Sequence, residues 1–81
     1  MAELDPDDWS VEEFTQVQSS HLAAVRYYRA FEILLVMFTD GSVWRYSDVE
    51  WAVYMGLRRA HSKGEYFHDN IRTTYEYENV G

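Results

Sequence analysis

From Val17 to Tyr46 the chain sets β-forming residues in three runs, and from Val49 onward its apolar positions recur at helical spacing. The first run, 17–28, carries Val17, Leu22, Val25, Tyr27 and Tyr28, with Ser19-Ser20 as a bend. The second, 32–38, is apolar on both faces: Leu34, Val36 and Phe38 on one, Ile33, Leu35 and Met37 on the other. Thr39-Asp40-Gly41 is a hairpin signal, because Gly41 can take a positive φ. A third strand, 42–46, follows. A two-residue loop would pair Phe38 with Val43; a three-residue loop pairs Val36 with Trp44 and Leu34 with Tyr46. The second register sets aromatic rings beside aliphatic ones and is the one expected. A helix then starts at Ser47 or Asp48, with Ser47 and Glu50 at capping-box spacing and a stripe of Val49, Ala52, Val53, Gly56, Leu57 and Ala60. Ser62 and Glu65 cap a last helix that runs to about Thr74, with Phe67, Ile71 and Tyr75 on one side. Strands first and helices after predict an α+β domain: a three-stranded antiparallel meander with two short helices packed on one face.

Upstream, Met1 to Asp8 reads as a disordered acidic arm. Ser10 with Glu13 fits another capping box and Trp9 with Phe14 a hydrophobic staple, so one helical turn is expected within an arm covering residues 1–16. The chain of 81 residues allows one domain and one modest core. With no cysteine it has no disulfide, thiolate metal site or thiol nucleophile, which fits a cytoplasmic location. An acidic N-terminus and short apolar runs give no expectation of a signal peptide or a membrane span.

A formal charge of −7 argues against nucleic acid until it is mapped. Residues 1–20 hold six acids and no Lys or Arg; residues 21–81 hold the other eight acids and all seven bases. Two of those eight, Glu76 and Glu78, sit near the end, so the body is close to neutral. Extended duplex DNA stays excluded, whereas a compact anionic ligand does not.

Three stretches resemble a known family. They are Val17-Gln18-Ser19-Ser20-His21-Leu22, then Phe38-Thr39-Asp40-Gly41-Ser42-Val43-Trp44-Arg45-Tyr46, then Ser62-Lys63-Gly64-Glu65-Tyr66-Phe67 with Ile71-Arg72 and Tyr75. In order and spacing they are similar to the KTSC domain, named after the lysyl-tRNA synthetase C-terminal region. The resemblance implies a domain over 17–77 with a tail at 78–81. It also implies a small stand-alone protein of bacteria or their phages, and, from the synthetase context, RNA binding. Trp44 stands where the family has a first Tyr, Glu50 where a Pro opens the helix and His68 where an Asn sits, and the first hairpin lacks its usual Gly.

No catalytic constellation emerges. His61 and His68 are seven apart, the four glycines are isolated, and paired carboxylates occur only in the arms. No enzyme activity, metal or cofactor is expected. Arg58, Arg59, His61, Lys63 and Arg72 fall where the two helices meet, interleaved with Tyr66 and Tyr75. Guanidinium forks pair with phosphate and aromatic faces stack bases. The candidate ligand contacts are therefore Arg58, Arg59, Lys63, Tyr66, His68, Arg72 and Tyr75, joined by Trp44 and Tyr46. The uncovered face of the doubly apolar strand leaves Ile33, Leu35 and Met37, with Trp51 and Met55 of the helix, as a self-association surface, unless the segment around Trp9 and Phe14 folds across it. The expected function is non-enzymatic binding of RNA or a small nucleotide-type anion, held between subunits of a homo-oligomer. The alternative is a protein-interaction module, such as a phage-encoded inhibitor or adaptor of a host system, whose acidic arm mimics nucleic acid.

Overall fold

In the computed structural model, which describes residues 9–81, the doubly apolar stretch becomes the central strand of a five-stranded antiparallel sheet. The strands are β1 (Thr15–Gln16), β2 (Leu22–Tyr28), β3 (Ile33–Phe38), β4 (Val43–Tyr46) and β5 (Tyr77–Asn79), in that order across the sheet. Helices α1 (Trp51–Arg59) and α2 (Lys63–Asn70) lie between β4 and β5 in sequence. The α+β class and the meander hold, but three strands must be corrected to five. The two added strands are edge strands of two and three exposed residues, which carry no alternation for a sequence pattern to detect. Met1 to Asp8, assigned to an acidic arm, lie outside the described residues.

The β3–β4 hairpin adopts the three-residue register: Leu34 opposes Tyr46, Val36 opposes Trp44, and the Phe38 N–H donates to the Ser42 carbonyl at 2.9 Å. Gly41 has φ +90°, so the loop needs the one residue without a Cβ penalty there. On one face of the sheet Val25, Tyr27, Leu34, Val36 and Tyr46 pack against Val49, Tyr54, Leu57, Phe67 and Ile71 of the helical layer. A register shift between Leu22 and Ala24 turns Leu22 onto this face as well. On the other face Tyr28, Leu35 and Val43 form a second cluster under Trp9, Phe14, Ile33, Met37 and Val80.

The segment before β1 is thus a cover. Val11–Glu13 form a single 3₁₀ turn, and the Trp9 and Phe14 rings meet edge to face at 5.6 Å, as the staple required. The capping box fails: Ser10 makes no cap bond and gives its hydroxyl to Glu12, which holds that carboxyl below its ordinary range. Glu13 instead pairs with Arg26 at 3.7 Å. At the other end the residues expected as a tail extend β5, where the Val80 and Gly81 N–H groups donate to the Val43 carbonyl at 2.9 and 3.1 Å and Gly81 packs against Trp9.

The first helix starts at Trp51, not at Ser47 or Asp48, and Glu50 at its N-cap makes no side-chain bond. Residues 47–50 are held by the sheet instead. The Val49 N–H donates to the Glu32 carbonyl at 2.8 Å, the Tyr27 hydroxyl donates to the Val49 carbonyl at 2.6 Å, and Asp48 takes φ +61°. The buried face of α1 is consequently Tyr54 and Leu57, while Ala52 is exposed. Tyr54 stacks on Tyr27 at 4.6 Å and 9°. The α2 cap is as expected, with the Glu65 N–H donating to Ser62 Oγ at 3.3 Å, but the helix ends at Asn70 rather than near Thr74. The helices cross where Tyr66 lies over Gly56 and gives its hydroxyl to the Val53 carbonyl at 3.0 Å. No helix among the described residues is long and apolar enough to cross a membrane.

Candidate nucleic-acid interface

Where α2 leans over β4, it leaves an open groove of about 830 Å³ against the hairpin end of the sheet. The wall is aromatic. Phe67 meets Tyr46 edge to face at 5.3 Å and Phe38 at 5.6 Å, and Tyr77 lies 5.7 Å from Trp44 and 5.8 Å from Tyr46. The hairpin register puts Trp44 and Tyr46 on this face, and β5 brings Tyr77 directly opposite Tyr46.

Trp44 is fixed by a relay of hydrogen bonds. Its indole N–H donates to Ser42 Oγ at 3.2 Å, and the Ser42 hydroxyl donates to Asp40 Oδ1 at 2.6 Å. The Ser42 N–H reaches the same carboxylate oxygen at 2.9 Å. These bonds, the side-chain one first, hold the Asp40 carboxyl below its ordinary range. The carboxylate at this end of the groove is therefore already engaged by the turn that carries it.

The opposite rim is cationic. After α2 the Ile71 and Arg72 N–H groups both donate to the Phe67 carbonyl at 2.9 Å, a tight ending that places Arg72 along the groove. His68 lines the same rim with its ring nitrogen 3.3 Å from Asp69. Burial pushes the Tyr46 phenol up to about 12, helped by Tyr77, while the Arg72 charge pulls the other way. Tyr46 is thus a neutral phenol beside a guanidinium at any physiological pH.

Of the expected ligand contacts the groove gathers Trp44, Tyr46, His68 and Arg72. The other five are elsewhere. Arg58 donates to the Tyr54 hydroxyl at 2.8 Å, and Arg59 is exposed on the last turn of α1. Lys63 donates to the Ala60 carbonyl at 3.0 Å, closing the end of α1. Tyr66 sits on Gly56, and Tyr75 packs half-buried against the core, its phenol raised by burial and by Glu50. The helix-junction cluster is thus divided, because Arg58 and Arg72 project from different elements to different parts of the surface. The sequence reading missed His21, Phe38, Asp40, Ser42 and Tyr77 as lining residues. Asp40 and Ser42 carried a signal, the turn chemistry; Tyr77 carried none, since only β5 pairing delivers it.

The proposed self-association residues separate too. Leu35 is fully buried, and Ile33 and Met37 are half-buried under Trp9 and Phe14. Met55 packs on the helical-side core, and Trp51 alone is well exposed. The bare second face that motivated this assignment is covered by the chain itself.

Residues 18–77 match the family model of the KTSC domain. The chain belongs to the KTSC domain family. Two lysine–tRNA ligases, from Nostoc sp. and Trichormus variabilis, are each 35% identical to it over 63 residues, 78% of this chain and 11% of the relative. The chain therefore spans about a ninth of the curated relatives it matches. A KTSC domain protein of Yersinia pestis with a solved crystal structure superposes with a TM-score of 0.81 at 22% identity, covering 84% of this chain and 96% of that one. That likeness is one of fold. Every residue lining the groove, from His21 to Tyr77, lies inside the KTSC match, whereas the covering residues Trp9, Phe14 and Val80 lie outside it.

Proposed function

We propose that this KTSC domain is a non-catalytic binding module whose groove takes a base-bearing anion, RNA or a smaller nucleotide. The observation that carries the reading is the division of one groove into an aromatic wall, Trp44, Tyr46 and Tyr77, and a cationic rim at Arg72. Aromatic faces stack any base, and a guanidinium grips phosphate in two-point geometry. The volume falls within the roughly 300–1,000 Å³ common for small-molecule sites. Asp40 at the hairpin end repels phosphate, which orients the ligand with its anion toward Arg72 and its base toward Trp44. Kinship with a segment of lysine–tRNA ligases supports RNA as the ligand class.

Fluorescence anisotropy of a labelled single-stranded trinucleotide tests this. Arg72→Ala should weaken binding at least tenfold, and Trp44→Ala should cost about 1–3 kcal/mol, the usual worth of one base stack. Circular dichroism verifies that both variants are folded. Absence of binding by the unmodified chain, or equal affinity in both folded variants, refutes the reading.

A further inference from the structure

The hairpin end of the groove carries an acceptor that its own turn does not use up. Asp40 Oδ1 takes both the Ser42 N–H at 2.9 Å and the Ser42 hydroxyl at 2.6 Å. Oδ2 accepts no bond from another described residue, and Asp40 is exposed in the wall of the groove. Nor is any cation paired with it among the described residues. Ser42, through its hydroxyl first and its N–H second, holds the carboxyl below its ordinary range, so at neutral pH the group accepts and does not donate. The same Ser42 oxygen receives the Trp44 indole N–H at 3.2 Å. Two hydrogen bonds therefore fix the open acceptor relative to the edge of the stacking ring.

A base laid against Trp44, with its phosphate at Arg72, turns its far edge toward Asp40, and bases differ in what that edge offers. Cytosine, adenine and guanine each carry an exocyclic amino group, whereas uracil has a carbonyl oxygen where cytosine has its amino group. An amino group meets a carboxylate as donor to acceptor; a carbonyl meets it as lone pair against lone pair. The N3–H of uracil is flanked by carbonyls on both sides, so a carboxylate that approaches it meets the same repulsion. The Thr39 hydroxyl, exposed on the same rim, both donates and accepts and so favours neither kind of base. Discrimination falls to Asp40.

We propose that Asp40 is the specificity-determining residue of the groove, accepting a hydrogen bond from the exocyclic amino group of a stacked base, so that the site takes cytosine, adenine or guanine in preference to uracil. This rests on the groove's reading as a site for RNA or a nucleotide and narrows the ligand by base. The test compares the fluorescence anisotropy of a labelled cytidine trinucleotide with that of a labelled uridine trinucleotide, two probes of equal charge. The unmodified chain should bind the cytidine probe roughly tenfold more tightly, the low end for a hydrogen bond to a charged group. Asp40→Asn keeps an oxygen for the Ser42 N–H, which fixes the way the amide points, and puts an amide N–H donor in place of Oδ2. Loss of a negative charge raises the affinity for both probes, so the ratio of the two affinities is the readout. That preference should vanish or pass to the uridine probe, whose carbonyl now meets a donor. A purely electrostatic or structural role for Asp40 would leave the ratio unchanged, and that result overturns the proposal. Equal binding of the two probes by the unmodified chain overturns it as well; if Arg72→Ala still weakens both, the groove stands without base selection. Failure of the unmodified chain to bind either trinucleotide overturns both readings.

Discussion

Tyr46 shows how one side chain ties site chemistry to stability. It is only 4% exposed, between Phe67 and Tyr77, and its phenol is pushed up to about 12. An unfolded tyrosine titrates near 10. A raised folded value means that the native state favours the neutral phenol. The corresponding stability is fully present below about pH 10 and is lost as pH climbs through 12, amounting to about 3 kcal/mol at most. Urea unfolding between pH 9 and 12 should therefore show a decline that is reduced in Tyr46→Phe. An equal decline in both proteins would assign the effect to other tyrosines. The same neighbourhood makes Arg72 a cation held beside a neutral acceptor, leaving its charge available to an incoming anion.

At the level of elements, the helix crossing and the hairpin carry the clearest expectations. A Cβ on Gly56 would lie 2.1 Å from the Tyr66 hydroxyl oxygen and 2.6 Å from its ring carbon, so Gly56→Ala must displace that ring and its bond to Val53. Overpacking of about 1–3 kcal/mol outweighs the roughly 1 kcal/mol that alanine gains in a helix. Gly64 offers the contrast, because a Cβ there meets nothing closer than 3.6 Å. Thermal unfolding should find Gly56→Ala destabilised by about 1–2 kcal/mol and Gly64→Ala neutral or slightly stabilised. The reverse order would contradict the crossing geometry.

The hairpin register and the α2 cap were legible in the sequence because each depends on neighbours in the chain: the positive φ of Gly41, the rings facing aliphatic residues, and Ser62 three residues before Glu65. What could not be read depends on distant partners. Thr15–Gln16 and Tyr77–Asn79 are strands only because β2 and β4 offer them an edge. Ser47 does not start a helix, since the sheet claims the backbone of Val49. Tyr54 and Leu57, and not Ala52, then form the buried face of α1. Half of the site was visible for the same reason: Trp44 and Tyr46 share a strand, and His68 and Arg72 share a helix end, but their meeting with Tyr77 is a property of the five-stranded sheet.

For the whole molecule, the second face of the sheet decides how the chain behaves among its own copies. Trp9 and Phe14 pack on the cluster that holds Leu35, with Met37 beside them, and both lie outside the residues that match the KTSC model. Replacing Trp9→Ala and Phe14→Ala together should cost about 2–4 kcal/mol for two half-buried rings. It should also bare an apolar patch that promotes association. Light scattering coupled to size exclusion should then show a concentration-dependent rise in mass relative to the unmodified chain. An unchanged mass together with unchanged stability would mean that the two rings contribute no cover.

Trp9 also touches Gly81, which donates its N–H to the Val43 carbonyl, and Trp9 packs on the cluster to which Val43 belongs. Trp9 and Gly81 thus meet across the second face of a sheet whose outer strands, β1 and β5, lie at opposite edges. The groove lies on the opposite face of the sheet, lined by Trp44 and Tyr46, so the contact between Trp9 and Gly81 leaves it open.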